Sequence, residues 1–177
     1  MLSTEQHILT IANTREEKFL RSRPAPFDFS KYTEKDLREL IAAMRAIMRR
    51  ANGIGLSANQ VGLDMQLFVA ELPQRNKGPK LYAIFNPKIE SVSKEVINME
   101  EGCLSVPQKW GVVSRPREIV LTGLDKHQKP IKLKAKGLLA RVFQHETDHL
   151  NGILFIDKAK RVYEARQEQE QEHSERI

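Results

Sequence analysis

The chain has 177 residues, a length that suits one domain with its own core. Its hydrophobic fraction of 40% and aromatic fraction of 6% are ordinary for a globular protein, and no apolar run approaches the roughly 20 residues that a membrane span requires. The formal net charge of +6 is carried by the body of the chain, because residues 157–177 hold slightly more acidic than basic side chains. This basic body suits an acidic partner such as RNA, and it equally suits a surface that only keeps the protein in solution.

The cysteine content and the N-terminal segment restrict the compartment. Cys103 is the only cysteine, which excludes an internal disulfide framework. A lone thiol in a reducing compartment can be core filler, a nucleophile or a metal ligand. Residues 1–18 are polar and charged, without the apolar stretch of a secretory signal. We therefore expect a cytoplasmic protein.

The first regular element that the sequence predicts is a helix after residue 33. Residues 1–30 show no clear hydrophobic period, and Pro24 and Pro26 argue against a regular helix there. Thr33 is a suitable N-cap, with Asp36 three residues later as in a capping box. The apolar residues that follow at helical spacing are Leu37, Leu40, Ile41, Met44, Ile47, Met48 and Ala51. The pattern predicts a helix with one face in the core.

The middle of the chain predicts strands, and its end predicts two more helices. Residues 67–72, 81–85, 88–96 and 118–124 are rich in β-branched or aromatic side chains between turn signals, and residues 125–130 resemble a hairpin that leads into alternating residues 131–134. A helix is expected over residues 137–150, with Asn151 and Gly152 as its stop signal, and a charged helix from about Asp157. Because the strands are grouped between helices without strict alternation, the fold class is α+β.

The most informative motif is His145-Glu146-Thr147-Asp148-His149, an H-E-x-x-H pattern inside the last long predicted helix. Two histidines four residues apart lie on one face of a helix, so both imidazoles can reach one metal ion, and the intervening glutamate can sit beside a metal-bound water. A solvated surface helix is the plain alternative, but the apolar residues just before the motif indicate a buried helix.

A catalytic site of this kind needs a third protein ligand, and Cys103 is the best candidate. The metalloprotease pattern places a third histidine six residues after the second, where this chain has Phe155. A distant glutamate, Glu164 or Glu168, would lie in the charged tail. Cys103 follows Gly102, which lets the backbone approach a metal closely, and a thiolate ligates strongly beside a divalent cation. Asp148 could close a fourth position and make the site structural, but it should point away from the metal-facing side.

The stretch Gly53-Ile54-Gly55-Leu56-Ser57-Ala58-Asn59-Gln60 completes the set of unusual segments. Its glycines suggest a close approach of the backbone to a ligand, and Gln60 offers an amide donor. Taken alone, it is better explained as a helix end followed by an ordinary loop. It is not a dinucleotide-binding fingerprint, because the third glycine and the preceding strand are missing.

Together, GIGLSANQ, EGCLS and QHETDHLNG resemble, in this order and spacing, the three signature motifs of the peptide deformylases, and the resemblance extends over about residues 8–156. It implies antiparallel β-sheets packed around the helix that carries the H-E-x-x-H motif, with an N-terminal and a C-terminal helix. It implies one catalytic domain over residues 1–156, followed by a charged helix or tail over residues 157–177. The implied activity is hydrolytic removal of the N-formyl group from the formyl-methionine of new polypeptides, which releases formate.

The resemblance also implies a role for each site residue. Glu146 is the general acid/base that acts on a metal-bound water, and Gln60 with the backbone N–H of Leu104 forms the oxyanion hole. The implied metal ligands are Cys103, His145 and His149. The implied substrate-binding residues are Ile54, Gly55, Glu101, Gly102, Leu138, Arg141 and Val142.

The implied cofactor is one divalent metal ion, iron(II) in the cell, with zinc, nickel or cobalt able to occupy the same ligands in purified protein. The implied partners are N-formylmethionyl nascent peptides and the ribosome surface, reached through the basic body or the C-terminal helix, with no membrane and no direct role on DNA. Two departures bear on substrate preference: Arg141 stands where an apolar pocket residue is frequent, and Trp110 stands where a basic residue is frequent.

Three alternatives remain open at this point. An H-E-x-x-H metallopeptidase would cleave internal peptide bonds and would not depend on Cys103. A non-catalytic module would use a Cys/His₂ metal for structure and its basic body for RNA, with no role for Glu146. A divergent deformylase-like hydrolase would keep the metal and the glutamate but act on an altered substrate, as Arg141 and Trp110 could allow.

Overall fold

The computed structural model describes residues 2–74 and 77–164, and the bounds of its elements are as follows. The helices are α1 (Thr14–Leu20), α2 (Glu34–Arg50), α3 (Gly137–His149) and α4 (Phe155–Lys158), with short 3₁₀ turns at Phe29–Lys31 and Ala58–Val61. The strands are β1 (Gly55–Ser57), β2 (Leu67–Gln74), β3 (Lys77–Val92), β4 (Val96–Cys103), β5 (Val106–Pro116), β6 (Glu118–Leu124), β7 (Pro130–Lys136) and β8 (Ala159–Glu164).

Helix α2 begins and ends where the sequence predicts. The Thr33 side chain accepts a hydrogen bond from the backbone N–H of Asp36 at 3.2 Å, and the Asp36 carboxylate accepts one from the Thr33 N–H at 2.8 Å, so the capping box is present. Its apolar face packs with strands β1 and β2 and with Phe27 and Phe85 into one buried cluster. The apolar spacing therefore predicted both the helix and the face that it buries.

The strands form two antiparallel sheets. The larger has the order β1-β2-β3-β6-β7, and the smaller has the order β4-β5-β8. Helix α3 contacts both sheets, and Ala140, Phe143 and Leu150 bury their side chains against the larger one. The α+β class and the arrangement of sheets around the H-E-x-x-H helix are as predicted. No helix in the two described ranges is long and apolar enough to cross a membrane.

Three local predictions differ from the structure. Residues 14–20 form α1, although no regular helix was expected before residue 30; Asn13 caps it by accepting from the N–H groups of Arg15 and Glu16. The strand predicted over residues 88–96 is divided, because β3 ends at Val92 and β4 begins at Val96. The charged helix predicted from about Asp157 is replaced by the short α4 and by strand β8, and the rest of that prediction lies outside the described residues.

Candidate active site

The structure brings Cys103, His145 and His149 together at the junction of the small sheet and α3. Their ligating atoms all lie within 4.8 Å of one another, and the Cys103 Sγ is 3.1 Å from the His149 Nε2. Cys103 is the last residue of β4, whereas both histidines project from the same face of α3. A sulfur and two imidazole nitrogens that converge in this way form a donor set that fits a divalent transition metal and leaves a position open.

Local conformation at both ends of α3 allows the helix to fit this place. Gly137 begins the helix with φ 57°, a value that favours glycine. Gly152, just after the helix, has φ 72°, and a Cβ there would lie 2.2 Å from the carbonyl oxygen of Arg21. Asn59 also donates its side-chain amide to the His149 carbonyl at 2.7 Å, which ties the end of α3 to the GIGLSANQ segment.

Glu101 connects one of the histidines to a buried ion network. Its Oε2 lies 3.0 Å from the His145 Nδ1, so the Nδ1–H donates to the carboxylate and the Nε2 is left to face the cluster. Arg115 donates to both Glu101 oxygens, at 2.6 and 2.8 Å. Burial alone would raise the pKa of Glu101, but the hydrogen bonds from Arg115 and His145 outweigh it and lower that pKa. Glu101 therefore remains a carboxylate.

The two histidines have opposite electrostatic environments. Burial would lower the pKa of His145, but hydrogen bonds to Cys103 and Glu101 raise it to about 10. Burial, together with the neighbouring His145, lowers the pKa of His149 well below its ordinary value. His149 is thus neutral, the form that can ligate a metal, whereas a metal must compete with a proton at His145.

Glu146 lies inside the site and is 3% exposed. Burial raises its pKa to about 7. Its Oε2 is fully buried and has no hydrogen-bond partner among the described residues, an arrangement that is costly unless another group is bound there. Gly55 packs directly over the carboxylate, since a Cβ at this position would lie 2.2 Å from the Glu146 Oε1. The predicted close approach of the GIGLSANQ backbone is therefore to Glu146.

Gln60 is held in one orientation by the groups around it. The backbone N–H of Ser57 donates to the Gln60 Oε1 at 2.9 Å, and because this N–H can only donate, it fixes which end of the amide is the oxygen. The Gln60 Nε2 then points to the opposite side, 3.1 Å from the Ser105 Oγ and 3.7 Å from the Cys103 Sγ. An amide donor thus faces the candidate metal-binding cluster of Cys103, His145 and His149. It lies beside Leu104, in the turn between β4 and β5.

A cleft of about 580 Å³ opens in front of these groups. Ile54 and Leu138, each 45% exposed, line it together with the buried Val142, and Trp110 lies at 44% exposure with its ring against Gly102. The other sequence-predicted residues that line it are Gly55, Gln60, Glu101, Gly102, Cys103, Leu104, Arg141, His145 and Glu146. The cleft therefore combines apolar walls with a few polar groups at its base, as ligand sites usually do.

Three charged residues are engaged away from the cleft interior. Glu101 and Arg141 were predicted to bind substrate, and both line the cleft, but the Glu101 carboxylate accepts from Arg141 at 2.5 Å. Asp148 was judged a poor fourth ligand, and its carboxylate instead accepts from Arg115 at 2.7 Å and from Lys158 at 2.6 Å. In the described part of the chain, the candidate metal-binding cluster contains only Cys103 and the two histidines.

The sequence reasoning missed Arg115, Asn59 and Ser105, which support the site from behind. Arg115 lies on β5, outside the three motifs. The one signal for it is that a buried Glu101 requires a cationic partner somewhere in the chain. Asn59 and Ser105 belong to motif segments and are fully buried. Buried polar side chains in a loop are a signal that the sequence alone cannot reveal.

Comparison with known proteins gives one consistent family. The model of the polypeptide deformylase family matches residues 8–165. A peptide deformylase of Halothermothrix orenii is 44% identical over 146 residues, which cover 82% of this chain and 90% of that protein. A peptide deformylase of Synechocystis is 44% identical over 125 residues, which cover 71% of this chain and 67% of that protein.

Solved structures agree with the sequence comparisons. A probable peptide deformylase from Synechococcus phage S-SSM7 is similar with a TM-score of 0.78 and 38% identity, covering 87% of this chain and 99% of that one. A peptide deformylase from Synechococcus elongatus, solved in complex with actinonin, is similar with a TM-score of 0.75 and 34% identity, covering 91% and 82% of the two chains.

Proposed function

Because this chain belongs to the polypeptide deformylase family, whose members are hydrolases that remove the N-formyl group from new polypeptides, we propose that Glu146, Gln60 and Leu104 carry out that reaction here. The observation that carries the assignment is the position of Glu146. Its buried carboxylate lies on α3 between the two histidines of the metal-binding cluster, with one oxygen unpartnered among the described residues. Such a carboxylate is suited to handle a proton in the cleft.

Cys103, His145 and His149 would hold the metal on which the family depends, and their sulfur and nitrogen donors fit it. When bound, a divalent metal supplies Lewis-acid polarisation of the formyl oxygen and lowers the pKa of water. We propose iron(II) as the ion in the cell, with zinc, nickel and cobalt as occupants of the same ligands in purified protein. An iron site of this kind is sensitive to oxygen, and the Cys103 thiolate is a second target of oxidation.

Glu146 moves the proton in this proposal. It takes a proton from the attacking water as the water oxygen bonds to the formyl carbon. It then delivers that proton to the methionine nitrogen as the C–N bond breaks, so that the products are formate and a peptide with a free amino group. Burial, which raises the pKa of Glu146 to about 7, suits both steps, because a group with this pKa can accept and release a proton near neutral pH.

Gln60 and the backbone N–H of Leu104 stabilise the negative charge that develops on the formyl oxygen. The Ser57 N–H holds the oxygen end of the Gln60 amide, and therefore its Nε2 donor is preorganised toward the cleft. A donor that is already oriented costs no reorganisation during the reaction, and loss of one such donor typically costs about 10²–10³ in rate.

The walls of the cleft would bind the rest of the substrate. We propose that the backbone of Ile54 and Gly55 binds the peptide chain and that Val142 and Leu138 contact the methionine side chain. These apolar residues line the cleft beside Glu146. An unbranched, flexible thioether suits a pocket of this kind.

The test is formate release from a formyl-Met-Ala-Ser peptide by protein prepared without oxygen and loaded with metal. Glu146→Gln should retain the metal and lose about 10²–10⁴ of the rate, the usual contribution of general acid–base catalysis. Cys103→Ala should lose the metal itself. Glu118→Gln, which changes an exposed glutamate that pairs with Lys136, serves as the matched control and should behave as wild type.

Two outcomes would overturn the assignment. Wild-type turnover by Glu146→Gln would remove the proposed base. Cleavage of internal peptide bonds without formate release would indicate the metallopeptidase alternative. The structure does not support that alternative, because Phe155 stands at the place of the third protease histidine and is buried in the core beside the small sheet.

We further propose a cytoplasmic enzyme that meets nascent chains at the ribosome through its basic body. The described part of the C-terminal segment that was expected to contribute forms the short α4 and strand β8, and the basic body supports this contact. Binding to purified ribosomes that weakens steeply with added salt is the expected result, because contacts between basic side chains and RNA phosphates are salt-dependent.

A further inference from the structure

Arg141 occupies an unusual position for an arginine, on α3 one helical turn before His145. Its side chain is 7% exposed, and its guanidinium is surrounded by acceptors. The Nη1 donates to the Glu101 carboxylate at 2.5 Å and to the Val113 carbonyl at 3.1 Å, and the Nη2 donates to the Ile97 carbonyl at 2.7 Å. A group with this many engaged donors is fixed by the fold and is not available to a ligand.

The acceptors of Arg141 all belong to the β4–β5 hairpin, in which Cys103 is the last residue before the turn. Ile97 and Glu101 lie on β4, and Val113 lies on β5 opposite β4. Cys103 is the last residue of β4. Arg141 therefore joins the two elements that carry the metal-binding cluster, because the cysteine comes from the hairpin and both histidines come from α3.

Glu101 links Arg141 to the metal-binding cluster, because its carboxylate accepts hydrogen bonds from both Arg141 and His145. Its Oε1 accepts from Arg141 and from Arg115, and its Oε2 accepts from Arg115 and from the His145 Nδ1. All four acceptor directions of the carboxylate are used. Arg115 lies on the same hairpin as Glu101, and it reaches α3 through Asp148 at 2.7 Å. Arg141, which lies on α3, provides a link to the hairpin that runs through Glu101 itself.

We infer that Arg141 is a positioning residue, which sets the place of Glu101 and Cys103 relative to His145 and His149 and so determines how tightly the site holds a divalent metal. The inference rests on the proposed function of the cluster as a metal site. The same contacts explain how the pocket wall accommodates an arginine at a position where deformylases frequently have an apolar residue. The guanidinium of Arg141 is neutralised by Glu101 behind the cleft. The alkyl part of its side chain remains at the wall of the cleft.

The test measures cobalt(II) binding by competition with a chelator, together with the visible spectrum of the cobalt-loaded protein. Arg141→Met keeps an unbranched apolar stem but removes the guanidinium and with it every donor. We expect its affinity for cobalt to fall about 10–100-fold, as for loss of other groups that orient metal ligands, with an altered cobalt spectrum. The KM for formyl-Met-Ala-Ser at saturating metal should stay within about twofold of wild type.

Two further variants keep the test interpretable. Arg141→Lys, which retains the charge and can reach fewer of the acceptors, should lie between wild type and the methionine variant, and it carries the test if Arg141→Met does not fold. Arg117→Met removes an exposed arginine at the end of the same hairpin, paired with Glu95, and should leave cobalt affinity unchanged.

Unchanged cobalt affinity and spectrum in both Arg141 variants would overturn the inference. A large rise in KM with normal cobalt binding would likewise overturn it and would identify Arg141 as a substrate contact. Both results can be told apart from a failure of the proposed function, in which metal-loaded wild type would release no formate or Glu146→Gln would keep wild-type turnover.

Discussion

Gly55→Ala tests, with one added methyl group, the geometry of the Glu146 carboxylate that we propose as the general acid/base. The backbone at Gly55 is outside the left-handed region, so alanine can adopt its conformation. The new Cβ would lie 2.2 Å from the Glu146 Oε1 and 2.8 Å from its Cδ. Ordinary contact begins near 3.4 Å, and the carboxylate must therefore move by about 1 Å.

The expected effect is on the rate and not on the metal. A displacement of about 1 Å at a reacting group can cost about 10²-fold, and complete loss of a general base costs about 10²–10⁴. We therefore expect Gly55→Ala to lower kcat for formate release about 10²-fold at saturating metal. Cobalt affinity should be unchanged, because Glu146 is not one of the three clustered ligands.

Gly78→Ala is the matched control, because a Cβ at Gly78 would meet nothing within 4 Å. It should be as active as wild type. If Gly55→Ala kept kcat within about threefold, the carboxylate would have room to move without cost, and the argument that its position is fixed by the glycine backbone would be refuted.

Glu71→Gln should make the free energy of unfolding less dependent on pH in the acidic range. Arg45 and Arg49 lower the pKa of Glu71 to about 2. The stabilisation by Glu71 is therefore complete above its ordinary pKa of 4.5 and is lost as the pH falls toward 2. Urea titrations at about pH 5 and about pH 3 should show a smaller loss of unfolding free energy in the variant, and equal losses would contradict this. Gly152→Ala should lower the free energy of unfolding by about 2 kcal/mol or more. The substitution places a Cβ on a residue with φ 72°, only 2.2 Å from the Arg21 carbonyl oxygen. A loss under about 0.5 kcal/mol in the same urea titration would show that the chain accommodates the Cβ without strain. Lowering the pH from about 8 to about 6 should weaken metal binding, because a metal must displace the proton that His145 binds with a pKa of about 10. Metal affinity is measured against a chelator at both pH values. Equal affinities would show that the proton on His145 does not oppose metal binding.

The elements that the sequence predicted well are those with a strong local signal. Helix α2 has a capping residue and an unbroken apolar face, and α3 has a periodic pattern that ends at a glycine with positive φ. The grouping of Cys103 with His145 and His149 followed from ligand chemistry and from the family resemblance, and the structure brings the three together.

The elements that were missed depend on contacts between distant segments. Helix α1 spans only seven residues, too few for a periodic pattern, and its signal is the single cap at Asn13. Strand β8 lies in a highly charged segment, which suggested a helix, although Val162 and Tyr163 within it suit a strand. It is a strand because it pairs with β5, where Tyr163 lies opposite Trp110. Tertiary pairing has here outweighed local preference.

The contacts that Arg141 makes behind the site could not be predicted from the local sequence either. Arg141 was read from the sequence as a residue of the pocket wall, because nothing in the sequence places the Ile97 and Val113 carbonyls around its guanidinium. Such partners become visible only when the sheet and the helix are packed together.

The long-range construction of the site also governs when it can form. Cys103 and His149 are 46 residues apart, and Gln60 and Ser105 are 45 apart, so each pair must close a long loop before it meets. The unfolded chain therefore offers a metal at most one ligand-bearing segment at a time. Metal added during refolding should slow unfolding and raise the yield of folded protein without accelerating the folding step, because the ion binds a site that is completed only after the slow, non-local contacts have formed.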